Sequence, residues 1–294
     1  MNVGLVLGGG GARGYAHIGV AQVLQQHRIP IDIVVGTSMG AAIGGALVCG
    51  IDLDMLGKVL KTLDLNELLG IPTSIFREIE DLLSRTTAEY FRKEARWRSV
   101  RFGSSRLSKL FEFYSLFTKN QGFEDLTSDF AVVAVDIDTG KEVIIETGKL
   151  YRAIAASSAI PEFFYPVWCG GHCLVDGGSV NNLPIDVAVD RGADVVIAVD
   201  VSAAIASKVK TSFDVLIQAQ LITSRELTRV KTELAKQSLG ERLWILHPDV
   251  QQASWSSLRE IAPIIEAGRR EAERHIAAIQ EMIATHSRRL SADA

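Results

Sequence analysis

The chain has 294 residues, 47% of them apolar, and a formal net charge of -4. Those figures suit one large α/β domain or two small ones built round a real core, and they exclude an overall basic field that would argue for nucleic acid. Only three cysteines occur, Cys49, Cys169 and Cys173; that excludes a disulfide framework and fits a reducing compartment. No stretch approaches the ~20 uninterrupted apolar residues of a membrane span. Ala41–Leu56 is apolar but carries three glycines, Asp52 and Asp54. No secretory leader is expected either, because Val3–Leu7 is short and runs straight into a glycine loop. The expectation is a cytoplasmic protein that touches membranes only at a surface, at their inner face.

In chain order, strands alternate with helices. Val3–Leu7 leads to a helix near Ala12–Gln26, and Ile31–Val35 to one near Met39–Cys49. Strands follow at Ala131–Ile137 and Val143–Glu146, then a helix at Leu150–Ser157 and a strand near Leu174–Val175. Pro184–Arg191 reads as a helix, with Pro184 suited to its first turn. The unalternating run Asp194-Val195-Val196-Ile197-Ala198-Val199 predicts a central strand covered on both faces. Phe213–Lys236 is a long helix, Arg242–Leu246 a strand and Ser257–His286 a final amphipathic helix. This alternation implies a three-layer α/β/α fold: a mainly parallel central sheet with helices on both faces.

The segment from about Asp64 to Glu124 breaks the rhythm. It is helical in pattern and carries a basic, aromatic stretch from Tyr90 to Phe111 that includes Arg96, Trp97, Arg98 and Arg101. Read alone, it is a solvated helical face on a surface insertion. Above a lipid-ester site, it is a lid whose aromatics enter the headgroup layer while its arginines meet phosphates.

Two glycine-rich turns carry the chemistry. The first is Gly8-Gly9-Gly10-Gly11-Ala12-Arg13-Gly14 and the second Gly36-Thr37-Ser38-Met39-Gly40. Each joins a short apolar strand to a small-residue helix. Strand–G-x-S-x-G–helix is the context of a nucleophile elbow, in which Ser38 sits on a strained turn with its hydroxyl pushed up from the sheet. The first turn sets a row of backbone N–H groups at a helix N-terminus, which suits an anion. A serine hydroxyl needs a base. Asp176, in Leu174-Val175-Asp176-Gly177-Gly178, ends an apolar strand and is placed to reach across the sheet's C-terminal edge. Alone, Asp-Gly-Gly is a turn.

Together these residues resemble a known family. Gly9-Gly10-Gly11-Ala12-Arg13-Gly14, Gly36-Thr37-Ser38-Met39-Gly40 and Asp176-Gly177-Gly178 look like the three ordered motifs of patatin-like phospholipases. Ala156–Phe164, with its Pro-x-x-Phe, and Asn182-Leu183-Pro184 are similar to two further blocks of that family. The resemblance runs from Val3 to about Val199 and points to the bacterial single-domain branch, related to the catalytic domains of neuropathy-target-type esterases. It implies one domain over residues 1–294, with a helical lid-like insertion at about 64–124. It also implies hydrolysis of phospholipid or lysophospholipid esters by a Ser38–Asp176 dyad, without cofactor or metal. Backbone N–H groups of Gly9, Gly10 and Gly11 would hold the oxyanion. Arg13 would brace the loop or favour an anionic headgroup, and Gly14, Gly36, Gly40, Gly177 and Gly178 would support the turns.

Competing readings have their own marks. Gly9-x-Gly11-x-x-Gly14 after a strand is also the dinucleotide fingerprint. That reading wants an acidic residue at the end of the next strand, whereas Asp32 lies at its beginning. A Ser38–Asp176–His247 triad would follow the hydrolase order, since His247 comes after the strand ending at Leu246. His17 reads as a packed or capping histidine. Cys169-Gly170-Gly171-His172-Cys173 lacks a clear fourth zinc ligand and suits a hairpin turn. A non-catalytic acyl-lipid binding module would have no need of Ser38 and Asp176.

Overall fold

The computed structural model describes residues 1–62, 104–161, 164–202, 212–251 and 261–292. Its sheet is bonded in the order β5, β6, β3, β2, β1, β7, β8, with β4 also on β3. The strands are β1 (Val3–Leu7), β2 (Ile33–Thr37), β3 (Asp129–Asp136), β4 (Glu142–Ile145), β5 (Val167–Cys169), β6 (His172–Asp176), β7 (Val195–Val199) and β8 (Leu243–Leu246). Neighbours from β3 through β2, β1 and β7 to β8 are parallel; β4, β5 and β6 make antiparallel pairs.

Strand side chains alternate between the two faces, as a period of two requires. Val3, Leu5, Leu7, Val34, Val132, Ile197 and Val199 join one apolar core, while Val6, Val35, Val133, Val196 and Ala198 join a second on the opposite face. The first core is covered by α1 (Ala16–Gln26), α2 (Met39–Val48), α3 (Leu53–Thr62), α4 (Ser104–Phe117), α5 (Leu150–Ser157) and α8 (Ile261–Ala292). The second lies under α6 (Ile185–Asp190) and the end of α7 (Ser212–Leu239). β7 is buried along its whole length between β1 and β8, as its unalternating apolar run predicts.

Several boundaries depart from the sequence reading. β2 begins at Ile33 because Asp32 ties the chain to β1: Val3 N–H donates to its carboxylate at 2.8 Å, and its own N–H donates to Val3 C=O at 3.0 Å. The helix after the first glycine loop opens with a 3-10 turn, Gly11–Tyr15. α3 was not expected, although its start is written in the sequence. Asp52 accepts from the N–H groups of Asp54 and Met55, both at 2.9 Å, as an N-cap does.

Most of the expected insertion, and with it Arg96, Arg98 and Arg101, lies outside the described residues. Its final part forms α4, in which Leu110, Phe113 and Tyr114 are buried in the first core, and Phe111 packs edge-on against Tyr151 of α5.

Candidate active site

β1 and β2 run parallel and in register, Leu7 opposite Gly36, so the glycine loop and Ser38 leave the sheet side by side. Ser38 is then held in a conformation that side chains rarely adopt, φ 55° and ψ -121°, as the N-cap of α2. Such backbone costs about 1–3 kcal/mol and persists only where its surroundings fix it. Here Ser157 Oγ accepts from Ser38 N–H at 2.8 Å and donates to Val133 C=O at 2.5 Å. Thr37 Oγ1 donates to Asn181 C=O at 2.8 Å. The elbow glycines give room. A Cβ on Gly40 would strike Leu7 C=O, and one on Gly36 would lie 2.6 Å from Ala41 N. Gly14 faces the Met39 side chain.

Asp176, the candidate base, arrives by a different route from the one expected. β2 occupies β3 up to Val133, β4 covers Val132 to Val135, and β6 pairs with Ala134 to Asp136 in the antiparallel sense. Because β4 overlaps both, β2 and β6 must share the other edge of β3, end to end. Thr37 lies opposite Val133 and Asp176 opposite Ala134, so the two strands meet head to head where Ser38 and Asp176 stand. Asp176 therefore comes down onto the sheet's active edge instead of rising from it. Gly177 lets the chain turn there, since a Cβ at that position would strike Val133 C=O.

Ser38 Oγ donates to Asp176 Oδ2 at 2.7 Å, and Gly178 N–H donates to Asp176 Oδ1 at 2.8 Å. Burial pushes the Asp176 carboxyl up to about 6, against the opposing pull of the Ser38 and Gly178 hydrogen bonds. The pair borders a cavity of about 150 Å³ whose wall includes Gly9, Gly10, Gly11, Ile217 and Leu221.

The glycine loop corrects one expectation. Gly9 N–H donates to Asn182 C=O at 3.0 Å, while Asn182 Nδ2 donates back to Gly9 C=O at 3.0 Å. Gly9 is thus committed to a side-by-side clasp with Asn182, which leaves Gly10 and Gly11 as the candidate oxyanion donors. They stand at the N-terminus of the 3-10 turn, where backbone N–H groups have no partner within the helix. Arg13 is buried, and its Nε donates to Val201 C=O at 3.3 Å, just past β7. Its guanidinium braces the loop, and burial lowers its pKa.

The sequence had marked Ser157 and Asn182 only as parts of motif blocks. Their work at the elbow and the loop depends on contacts over more than a hundred residues of chain.

The rival constellations do not assemble. His247 is exposed and faces Asp200 at 3.6 Å, while both Asp176 oxygens are taken by Ser38 and Gly178. His17 is fully buried and its Nε2 donates to Gly8 C=O at 2.7 Å; burial pulls its pKa down to about 4. Cys169 and His172 flank a tight hairpin whose Gly170 and Gly171 have φ of 61° and 84°, and His172 Nδ1 lies 3.1 Å from Asp136. Asp32, just before β2, is bonded to Val3 and far from the ribose position of a dinucleotide fold, which lies beyond the other end of that strand.

A family model described as patatin-like phospholipase matches residues 5–189, more than half of the chain. The lysophospholipase NTE1 of Kluyveromyces lactis is 34% identical over 204 residues, 68% of this chain and 12% of that protein. Patatin-like phospholipase domain-containing protein 7 of Mus musculus is 33% identical over 202 residues, 68% of this chain and 13% of that one. The chain thus spans about an eighth of the length of these curated relatives. The crystal structure of VipD from Legionella pneumophila aligns with 97% of this chain and 67% of its own, at 16% identity and a TM-score of 0.46. The matched span holds the glycine loop, Ser38 and Asp176, and the chain belongs to the patatin-like phospholipase family.

Proposed function

We propose that the protein is a lipid acyl hydrolase that cleaves carboxylic esters of phospholipids or lysophospholipids through a Ser38–Asp176 dyad. The observation that carries this reading is the 2.7 Å hydrogen bond from Ser38 Oγ to Asp176 Oδ2 beside a cavity. In the proposed reaction Ser38 Oγ attacks the ester carbonyl as its proton passes to Asp176. Gly10 and Gly11 N–H groups hold the oxyanion, where most of the stabilisation belongs. Asp176 returns the proton to the departing alcohol, then takes one from the water that releases the fatty acid and passes it to Ser38 Oγ as the acyl bond breaks. The dyad and the loop supply the whole reaction, with no cofactor or metal step.

The choice of substrate is supported by family membership and by relatives named as lysophospholipases. Access to aggregated lipid would be peripheral, at the inner face of a membrane. Among the described residues no helix is long and apolar enough to cross one. Val215, Leu216 and Ile222 stand exposed on α7, whose Ile217 and Leu221 line the cavity.

The test is Ser38→Ala. It should remove hydrolysis of lysophospholipid and labelling by a fluorophosphonate probe, while circular dichroism and Tm show a folded protein. Substantial turnover by the variant would remove Ser38 from the reaction, and absence of labelling in the wild type would favour a binding module.

A further inference from the structure

The cavity beside Ser38 has two unlike ends. One is apolar, with Ile160, Pro161, Ile217 and Leu221. At the other, Ser202 and Arg225 are shared with a second hollow of about 540 Å³ between α7 and the chain after β8, walled by polar residues such as Thr228 and His247. The two spaces therefore meet at Arg225.

The cations round the second hollow are otherwise engaged. Arg229 pairs with Glu226 at 2.9 Å, Lys236 with Glu233 at 3.9 Å, and His247 faces Asp200 at 3.6 Å. Among the described residues Arg225 has no ion pair or hydrogen bond. Its position is nevertheless fixed. Neighbouring Ser224 Oγ donates to Gly178 C=O at 2.5 Å, and Gln220 Nε2 donates to Ser179 Oγ at 3.1 Å. These bonds tie α7 to the turn that follows Asp176, so Arg225 keeps a set place relative to the dyad. It also lies beyond residues 5–189, the span the family model matches.

We propose that the alcohol half of the ester enters the second hollow and that Arg225 binds a phosphate on it. The protein would then select acyl esters of phosphorylated alcohols over neutral ones, with the acyl chain against Ile217 and Leu221. This rests on the hydrolase reading of Ser38 and Asp176. In a lysophospholipid the phosphate sits one glycerol unit from the scissile ester, which suits a cation at the mouth of the catalytic cavity. A guanidinium can grip two phosphate oxygens at once, which an ammonium cannot.

The experiment compares a short-chain lysophosphatidylglycerol, kept below its critical micelle concentration, with the monoacylglycerol of the same chain. Arg225→Gln should lower the ratio of the two kcat/KM values by about 10-fold or more, chiefly through KM, and Arg225→Lys should recover part of it. An unchanged ratio overturns the proposal. So does a loss confined to vesicle lipid, which would make Arg225 a contact for a membrane surface. Binding to the Ser38→Ala protein by calorimetry gives a readout without turnover. Adding Arg225→Gln there should weaken lysophosphatidylglycerol binding about 10-fold relative to monoacylglycerol, and equal weakening of both overturns the subsite. If the wild type hydrolyses neither lipid yet this binding difference persists, the hydrolase reading fails and the phosphate subsite stands.

Discussion

Asp176, the proposed base, is made a stronger one by its surroundings. An aspartate at its ordinary value of 3.8 accepts a proton poorly at neutral pH; burial lifts Asp176 to about 6. On the proposed mechanism Asp176 must be ionised, so kcat/KM for a soluble ester should rise with pH through about 6 and level off above it. His17 cannot supply that limb, since it is neutral from about 4 upward. A flat profile from pH 5 to 8 would remove Asp176 as the base.

The same shift has a cost in stability. The folded protein holds the Asp176 proton more tightly than the unfolded chain does. The favourable contribution is therefore present below about pH 4 and is lost as pH rises to about 6. Above pH 6 the cost is about 3 kcal/mol. Asp176→Asn keeps an acceptor for Gly178 N–H and needs no ionisation. It should abolish most hydrolysis, by ~100-fold or more, yet raise Tm at pH 8 by a few degrees. That gain should vanish near pH 4, and thermal melts at the two pH values check it. His247→Ala should leave most activity in place, because His247 faces Asp200 and not the dyad; a loss as large as that of Asp176→Asn in a folded variant would restore the triad.

At the scale of elements, α1 and α8 pack backbone to backbone. A Cβ on Gly268 would strike Ala16 C=O, and one on Gly19 would strike Ile265 C=O. Gly268→Ala gains about 1 kcal/mol of helix propensity. Forcing a methyl group against a main-chain carbonyl costs about 1–3 kcal/mol or more, since both helices must shift. The clash should win, and a lower urea midpoint at unchanged m-value would register it. The first helix was legible as a small-residue stretch after the glycine loop and the last one from its amphipathic pattern. Their glycine contact was not, because no sequence period shows which residues of two distant helices meet.

At the scale of the whole molecule, the proposed hydrolysis of aggregated lipid requires a surface that meets it. Of the basic, aromatic stretch from Tyr90 to Phe111, residues 90–103 lie outside the described residues, so its expected role stays a proposal. Replacing Arg96, Arg98 and Arg101 with Gln should weaken binding to anionic vesicles. Each basic residue near such a surface contributes about 1 kcal/mol, screened by salt. Turnover of a soluble short-chain ester should fall little. Vesicle co-sedimentation with parallel assays on both substrates checks this, and equal losses on both would place the stretch in the fold instead.

The sequence by itself determined the α/β class and the buried run Val195–Val199, which rest on local pattern: period and β-branched runs. The elbow glycines round Ser38 were legible in the same way, whereas Asp176 read alone as a turn and was joined to Ser38 only by the family resemblance. The tertiary structure decided the rest. Asp176 reaches Ser38 because β6 is antiparallel and abuts β2 along one edge of β3, a matter of register between strands far apart in sequence. Gly9 is withdrawn from the candidate oxyanion donors because Asn182, distant in the chain, occupies its N–H. Arg225 carries no motif at all. It meets the catalytic cavity only because Ser224 and Gln220 fasten α7 to the turn after Asp176, and such pairings are fixed by packing rather than by any local preference of the chain.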